Sequence, residues 1–218
     1  MTITVHGQAT SSCTARVLTT LFEKEVSDFY LQHVDLASSA HKQPDYLTLQ
    51  PFGVIPVVQD GDLTLFESRA IIRYLALKYE GQGSPLYGRT PEERAKVEQW
   101  LEVESQNFHV AASTIVYQLV SRAKKGLAPE EDVVKATIEK LESILDVYEK
   151  QLSKSPFLAG DFFSLADLSH LPRTKSLMKS AKMPHLITSR KHVNDWWQRI
   201  STRPSWIKVT EMASGLQK

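Results

Sequence analysis

The stretch PFGVIPVVQDGDLTLFESRAIIRYLA, residues 51–76, decides the fold. Val57–Val58 and Leu63–Leu65–Phe66 flank the turn residues Asp60-Gly61-Asp62, which predicts an antiparallel hairpin over 55–68. A helix is predicted immediately after it, over 68–80, with Ser68 as expected N-cap and Ile71, Ile72, Leu75 and Tyr79 as its apolar stripe. A strand pair that hands over directly to an amphipathic helix closes a small open sheet. Pro56 stands at the entrance to the first strand, where a residue without an N–H cannot donate to a ladder. Two readings fit it: a trans proline on an edge strand, or a cis Ile55–Pro56 bond that turns the Ile55 backbone outward to pair with an extended peptide.

Upstream, TITVHG (2–7) alternates Ile3 and Val5 and stops at Gly7, a short strand. Val17, Leu18, Leu21 and Phe22 fall at helical spacing. FYLQHVDL (29–36) reads as a second strand, with Tyr30, Gln32, Val34 and Leu36 on one face, and PDYLTLQP (44–51) as a short helix or turn. The order is strand, helix, strand, short helix, hairpin, helix. A right-handed crossover joins the first two strands and the last two run antiparallel. That is the thioredoxin-like arrangement.

The chain changes character near residue 80. GQGSPLYGRTPEE (81–93) carries linker residues, and the remainder of the chain reads as helical. One long helix is expected over 90–122, capped by Thr90 with Pro91 at its first position and Glu93 completing a capping box. A second covers 128–154, with Val133, Ile138, Leu141, Leu145, Tyr148 and Leu152 as its stripe. A third starts at Ser164 with Asp167 three residues on, and 192–204 is the last substantial helix. The expected domains are 1–81, α/β; a linker, 82–89; and 90–218, all-α.

Composition excludes several classes. Net charge is +1, and the densest basic spot, SRAKKG (121–126), reads as a solvated helix end, so no nucleic-acid surface is expected. Cys13 is the sole cysteine, so no internal disulfide forms. No apolar run reaches the roughly 18 residues of a membrane span, and MTITVHGQ lacks the features of a signal peptide. A soluble, cytoplasmic protein is the expectation.

Three further motifs carry chemistry. Glu67 and Ser68 stand at a strand-to-helix handover, where free N–H groups and the helix dipole favour a carboxylate, while Glu67 suits an ammonium. The equally simple reading is an ordinary cap with an exposed acid. His41 and Lys42, in the polar loop SSAHKQPDY (38–46), are adjacent cationic donors for a second carboxylate, or plain solvated residues. ATSSCTARVL (9–18) places Ser11, Ser12 and Cys13 at a helix start. Together these describe a ligand with an α-amino-carboxylate end, a peptide middle, a far carboxylate and a sulfur. Glutathione fits.

Along nearly its whole length the chain resembles a plant phi-class glutathione transferase. The resemblance is carried by ATSSCTARVL, by residues 51–76 and by PFLAGDFFSLADLSHLP (156–172). It implies a thioredoxin-like domain joined to an all-helical one, and a homodimer. It also implies conjugation of glutathione to electrophiles, in detoxification and stress response, with glutathione as co-substrate and no metal or prosthetic group. It carries over glutathione contacts at His41, Lys42, Val54, Ile55, Pro56, Glu67, Ser68 and Arg69, and it selects the cis form of Ile55–Pro56. Matching Arg16-Val17-Leu18 places the family's active serine on Ser11; the usual Pro-Ala-Ser is Ala-Thr-Ser here, with Ala9 in place of a proline.

Ser11 is too weak an acid to serve as base, and no His–Asp pair stands near it in the chain to make a hydrolase triad. It can donate a hydrogen bond to a thiolate, which then attacks aryl halides or isothiocyanates and reduces organic peroxides. Cys13, two positions on, is the alternative: redox-modified, or forming a mixed disulfide in deglutathionylation, although no second cysteine exists to resolve it. A third reading is a carrier of aromatic molecules without turnover. For the electrophile site, expected between the domains, the expectations are Gln8, Ala9, Thr10, Leu36, Phe108, Ile115 and Tyr117; the four tryptophans and Asp167 are read as structural.

Overall fold

The computed structural model describes residues 2–215. Packing divides the chain into two compact units, one running to Leu86 and taking in the segment from Arg203 onward, the other Tyr87–Thr202. No helix among the described residues is long and apolar enough to cross a membrane.

The first unit opens with β1 (Ile3–Gly7), α1 (Ser12–Glu23) and β2 (Phe29–His33). A 3-10 turn (Ala40–Lys42) and α2 (Pro44–Leu49) lead to β3 (Val57–Asp60), β4 (Leu63–Phe66) and α3 (Ser68–Lys78). The sheet order is β2-β1-β3-β4, with β2 parallel to β1 and the other pairs antiparallel. Asp60 pairs with Leu63, so the hairpin turns on Gly61–Asp62. Strand alternation separates the faces: Val57 enters a cluster with Val34 and Tyr46, while its neighbour Val58 sits on the opposite face with Val5. α1 and α3 pack on each other through buried aliphatic stripes.

One register row sets the position of the site. Gln32, His6, Val57 and Phe66 stand side by side across the sheet. β1 ends one residue past this row, β4 ends at it and β3 begins at it, so the loop to α1, the Ile55–Pro56 turn and the start of α3 all emerge at one end.

Two expectations in this unit are corrected. β2 ends at His33, because the Asp35 carboxylate accepts from the Ala37 N–H and bends the chain; Val34 and Leu36 do not continue the strand. Ser68 is not the cap of α3: Glu67 holds that position with φ 68°, and Ser68 is the first helical residue, buried.

The second unit opens with the long helix foreseen over 90–122. It comprises α4 (Pro91–Val103) and α5 (His109–Val116), continued by π-helical turns at Glu104–Phe108 and Tyr117–Ser121. Thr90 accepts from the Glu93 N–H, but the Glu93 carboxylate accepts from Arg89 N–H, so the expected box is only half formed. α6 (Glu131–Leu152) buries Leu141, Leu145, Tyr148 and Leu152; Val133 is exposed and Ile138 half-buried, since its first turns border an open groove with Leu119. α7 (Leu165–Lys175) has both halves of the Ser164–Asp167 capping box. α8 (His185–Thr188) and α9 (Lys191–Ser201) complete the unit.

Asp167 is wholly buried, yet it accepts from the N–H groups of Leu158 and Ser164, the Ser164 hydroxyl and Trp196 Nε1. Burial pushes its carboxyl above the ordinary carboxylate value; the four donors oppose the rise without cancelling it. Beside it, His170 Nδ1 lies 2.7 Å from the Ala166 carbonyl and must donate there, which leaves Nε2 to accept from the Tyr148 hydroxyl at 2.9 Å.

A further helix, α10 (Pro204–Ser214), lies beyond the one expected to be last. Its sequence signals are Pro204 in the first turn and Gly215 beyond its end. It packs with the first unit, not with the rest of 90–218, because Arg203 and Ser205 bond the Glu23 carboxylate at the end of α1.

Candidate functional site

Ser11 caps α1. Its Oγ accepts from the Thr14 N–H at 3.4 Å, and accepting leaves the hydroxyl proton free to be donated outward. The approach to this cap is tight: a Cβ on Gly7 would lie 2.5 Å from Thr14 Oγ1. Ser12 and Cys13 are the first helical residues. Cys13 Sγ faces the Nη1 of Arg16 at 3.7 Å, and Arg16 is completely buried.

The Ile55–Pro56 bond is cis. The turn before it is pinned from several sides. Tyr46 Oη donates to the Val54 carbonyl at 2.9 Å, Lys42 Nζ donates to the Phe52 carbonyl at 3.0 Å, and Gln50 Oε1 accepts from the Phe52 N–H at 2.6 Å. Burial raises the Tyr46 phenol to about 12, so it remains a donor across the physiological range. Gly53 has φ 58°, and a Cβ there would meet the His41 carbonyl at 2.7 Å; this contact presses the turn against the His41–Lys42 segment. Among the described residues, the Ile55 N–H and C=O make no hydrogen bond. Val54 is exposed and Pro56 buried.

At the third element, α3 begins without a side-chain cap, so the backbone N–H groups of its first turn are open to an anion. Glu67 immediately precedes them, exposed and at positive φ, a conformation that a non-glycine residue adopts only when its surroundings impose it. Arg69 is partly buried in the first turn.

The register row thus brings Ser11, the Ile55–Pro56 turn with His41 and Lys42, and Glu67 with Ser68 to one end of the sheet. Two strand spacings separate β1 from β4, about 10 Å. Three extended residues span the same length.

The expected electrophile-site residues are not gathered in this way. Ala9 and Thr10 lie on the loop before Ser11, and Leu36 is 37% exposed beyond β2. Phe108 and Ile115 are corrected: both are fully buried in the core of the second unit, Phe108 stacked on Tyr148, and neither has surface to offer a ligand. Tyr117 is 46% exposed, with Lys125 Nζ 5.9 Å from its ring. Sequence reasoning missed Tyr46 and Gln50 as supports of the Ile55 turn; a tyrosine on a six-residue helix carries no local sign that its hydroxyl reaches a carbonyl eight residues on.

Comparison with known proteins agrees with this arrangement. Residues 1–77 match the family described as "Glutathione S-transferase, N-terminal domain" and 108–204 match "Glutathione S-transferase, C-terminal domain". The chain belongs to the glutathione S-transferase family, in its plant phi class. It is 48% identical to glutathione S-transferase F10 of Arabidopsis thaliana, over 96% of this chain and 97% of that protein. The crystal structure of glutathione transferase F2 from Populus trichocarpa is similar at 45% identity and a TM-score of 0.94, covering 98% of this chain and 99% of that one. Glutathione S-transferase I from mais, solved with an atrazine glutathione conjugate, is similar at 36% identity and a TM-score of 0.88, covering 98% and 99%.

Proposed function

We propose that this protein conjugates glutathione through its sulfur to hydrophobic electrophiles, displacing halide from aryl halides and adding across isothiocyanates, and that the same thiolate reduces organic peroxides to alcohols and water as two glutathione molecules are oxidised to the disulfide. Glu67 and the open N–H groups at Ser68 and Arg69 receive the α-amino-carboxylate end. The Ile55 backbone pairs with the peptide middle, beside Val54 and Pro56. His41 and Lys42 face the far carboxylate, and Ser11 faces the sulfur. The span of the site, about 10 Å, supports this pose, as does the glutathione conjugate held by the similar structure from mais. The reading takes the protein as a cytoplasmic homodimer with glutathione as co-substrate.

The observation that carries it is the bonding of Ser11, whose oxygen is engaged by Thr14 while its proton has no acceptor among the described residues. A free thiol titrates near ~8.5, so a thiolate at neutral pH requires a shift of about 2 units, or about 2.7 kcal/mol. One charge-assisted hydrogen bond supplies about 1.5–3 kcal/mol and the helix N-terminus about 0.3–1 kcal/mol. Ser11→Ala is expected to lower kcat/KM with glutathione and an aryl halide about 10- to 150-fold, with glutathione affinity nearly unchanged. Full activity in that variant removes Ser11 from the mechanism.

A second reading rests on Cys13, whose sulfur stands beside the Arg16 guanidinium. There Cys13 exchanges disulfides with glutathionylated substrates. Cys13→Ser abolishes that exchange and leaves conjugation intact if both readings hold; exchange that survives the substitution eliminates the second.

A further inference from the structure

Two cavities of the first unit share one wall. The first, about 470 Å3, is lined by Phe22, Glu25, Phe29, Lys208 and Met212 among others. The second, about 350 Å3, is lined by Ala9, Thr10, Leu31, His33, Met212 and Gly215 among others. Their order is set by secondary structure. Phe29, Leu31 and His33 alternate along β2 and share a face. Lys208, Met212 and Gly215 recur at helical spacing and form one stripe of α10 and its end. The two cavities are therefore successive segments of one crevice between β2 and α10. It runs from the loop that carries Thr10 to Phe22 at the far end of α1. Four strand steps give it a length of about 13 Å.

Its chemistry is graded along that length. Ala9, Leu31, Met212 and Phe29 form an apolar stripe along it, bordered by the polar side chains of Gln8, Thr10, His33 and Ser27, and Phe22 and Phe29 meet edge to face at 5.5 Å. At the far end, Lys208 Nζ sits 4.3 Å over the ring of Phe22. Glu25 lines the same segment, but among the described residues Lys208 forms no ion pair with it or with any other carboxylate. An unpaired ammonium at the end of an apolar stripe complements one kind of ligand. We propose that the crevice between β2 and α10 binds an amphiphile with a narrow apolar chain and a terminal anion, the chain passing Met212 and the anion resting on Lys208. Met212 suits the boundary, because an unbranched thioether turns aside more readily than a branched side chain.

Isothermal titration of the whole protein with dodecanoate, and with dodecanol as its uncharged counterpart, tests the site. Dodecanoate binds with one-to-one stoichiometry and about five- to tenfold more tightly than dodecanol. Lys208→Met removes that preference, Met212→Trp abolishes binding of both, and Met212→Ala retains it. Equal affinity for acid and alcohol in the wild type, or undiminished binding in a Met212→Trp variant that melts at the wild-type temperature, overturns the proposal. If Met212→Trp does not fold, Lys208→Met alone decides: a retained preference for the acid refutes it. Glutathione conjugation measured on the same samples is independent, so a wild type that binds dodecanoate in this pattern without conjugating glutathione sinks only the transferase reading.

Discussion

Glu23 is the sharpest place to perturb the first unit. Its side chain is 4% exposed and receives four donors from two other segments. Arg203 binds it through Nε at 2.7 Å and Nη2 at 2.6 Å, Ser84 Oγ donates at 2.5 Å, and Ser205 Oγ completes the set. One carboxylate therefore ties the end of α1 to the linker and to the start of α10. Glu23→Gln keeps the volume but removes the charge and turns two of the donors against an amide NH2. Breaking a buried ion pair costs about 3–5 kcal/mol; Arg203 keeps 27% of its side-chain surface in water, which lowers the expected loss to about 2–3 kcal/mol. For a chain of this size that is a fall of roughly 4–12 °C in Tm.

The pH dependence has a definite sign. Burial raises the Glu23 pKa, and bonds from Arg203, Ser205 and Ser84 more than offset it, leaving the carboxyl below its ordinary value of 4.5. A depressed acid contributes stability that is complete above its unfolded pKa and is lost as pH falls through the folded one. Calorimetry of wild type and Glu23→Gln should show the full Tm difference at pH 7 and a shrinking one below about pH 4.5. An Arg203→Met background should remove most of the difference at every pH. A Tm unchanged at pH 7, or a gap that persists at about pH 3 and in the Arg203→Met background, would refute the argument.

Other outcomes rest on the same geometry. Gly53→Ala meets both a positive φ and the His41 carbonyl, so it should cost more than about 1 kcal/mol in urea unfolding and raise KM for glutathione more than it lowers kcat. Tyr46→Phe deletes only the bond to the Val54 carbonyl; a loss of about 1 kcal/mol, seen as a several-fold rise in KM at nearly constant kcat, is expected in steady-state kinetics. Asp167→Ala strands Trp196 Nε1 and two backbone N–H groups in the core, and should destabilise by about 3–5 kcal/mol, read as lost soluble yield and a lower urea midpoint.

Much of this protein is legible in its residues. Alternation and turn chemistry between Val57 and Phe66, the helical stripe from Ile71 to Leu75, and the Ser164–Asp167 pair are local signals, satisfied by atoms a few positions apart. They determine the thioredoxin-like unit and the helical remainder. What the tertiary structure decided depends on partners distant in the chain. Phe108 and Ile115 fall on the helix face from which an electrophile wall is expected, yet the core of their own unit buries both, Phe108 against Tyr148. α10 belongs with the first unit because a guanidinium at 203 reaches a carboxylate at 23. The crevice beside β2 exists only because that helix is held there. Local propensity depends on near neighbours and is written in order along the chain; long-range electrostatic and packing contacts are chosen only when the chain has folded back on itself.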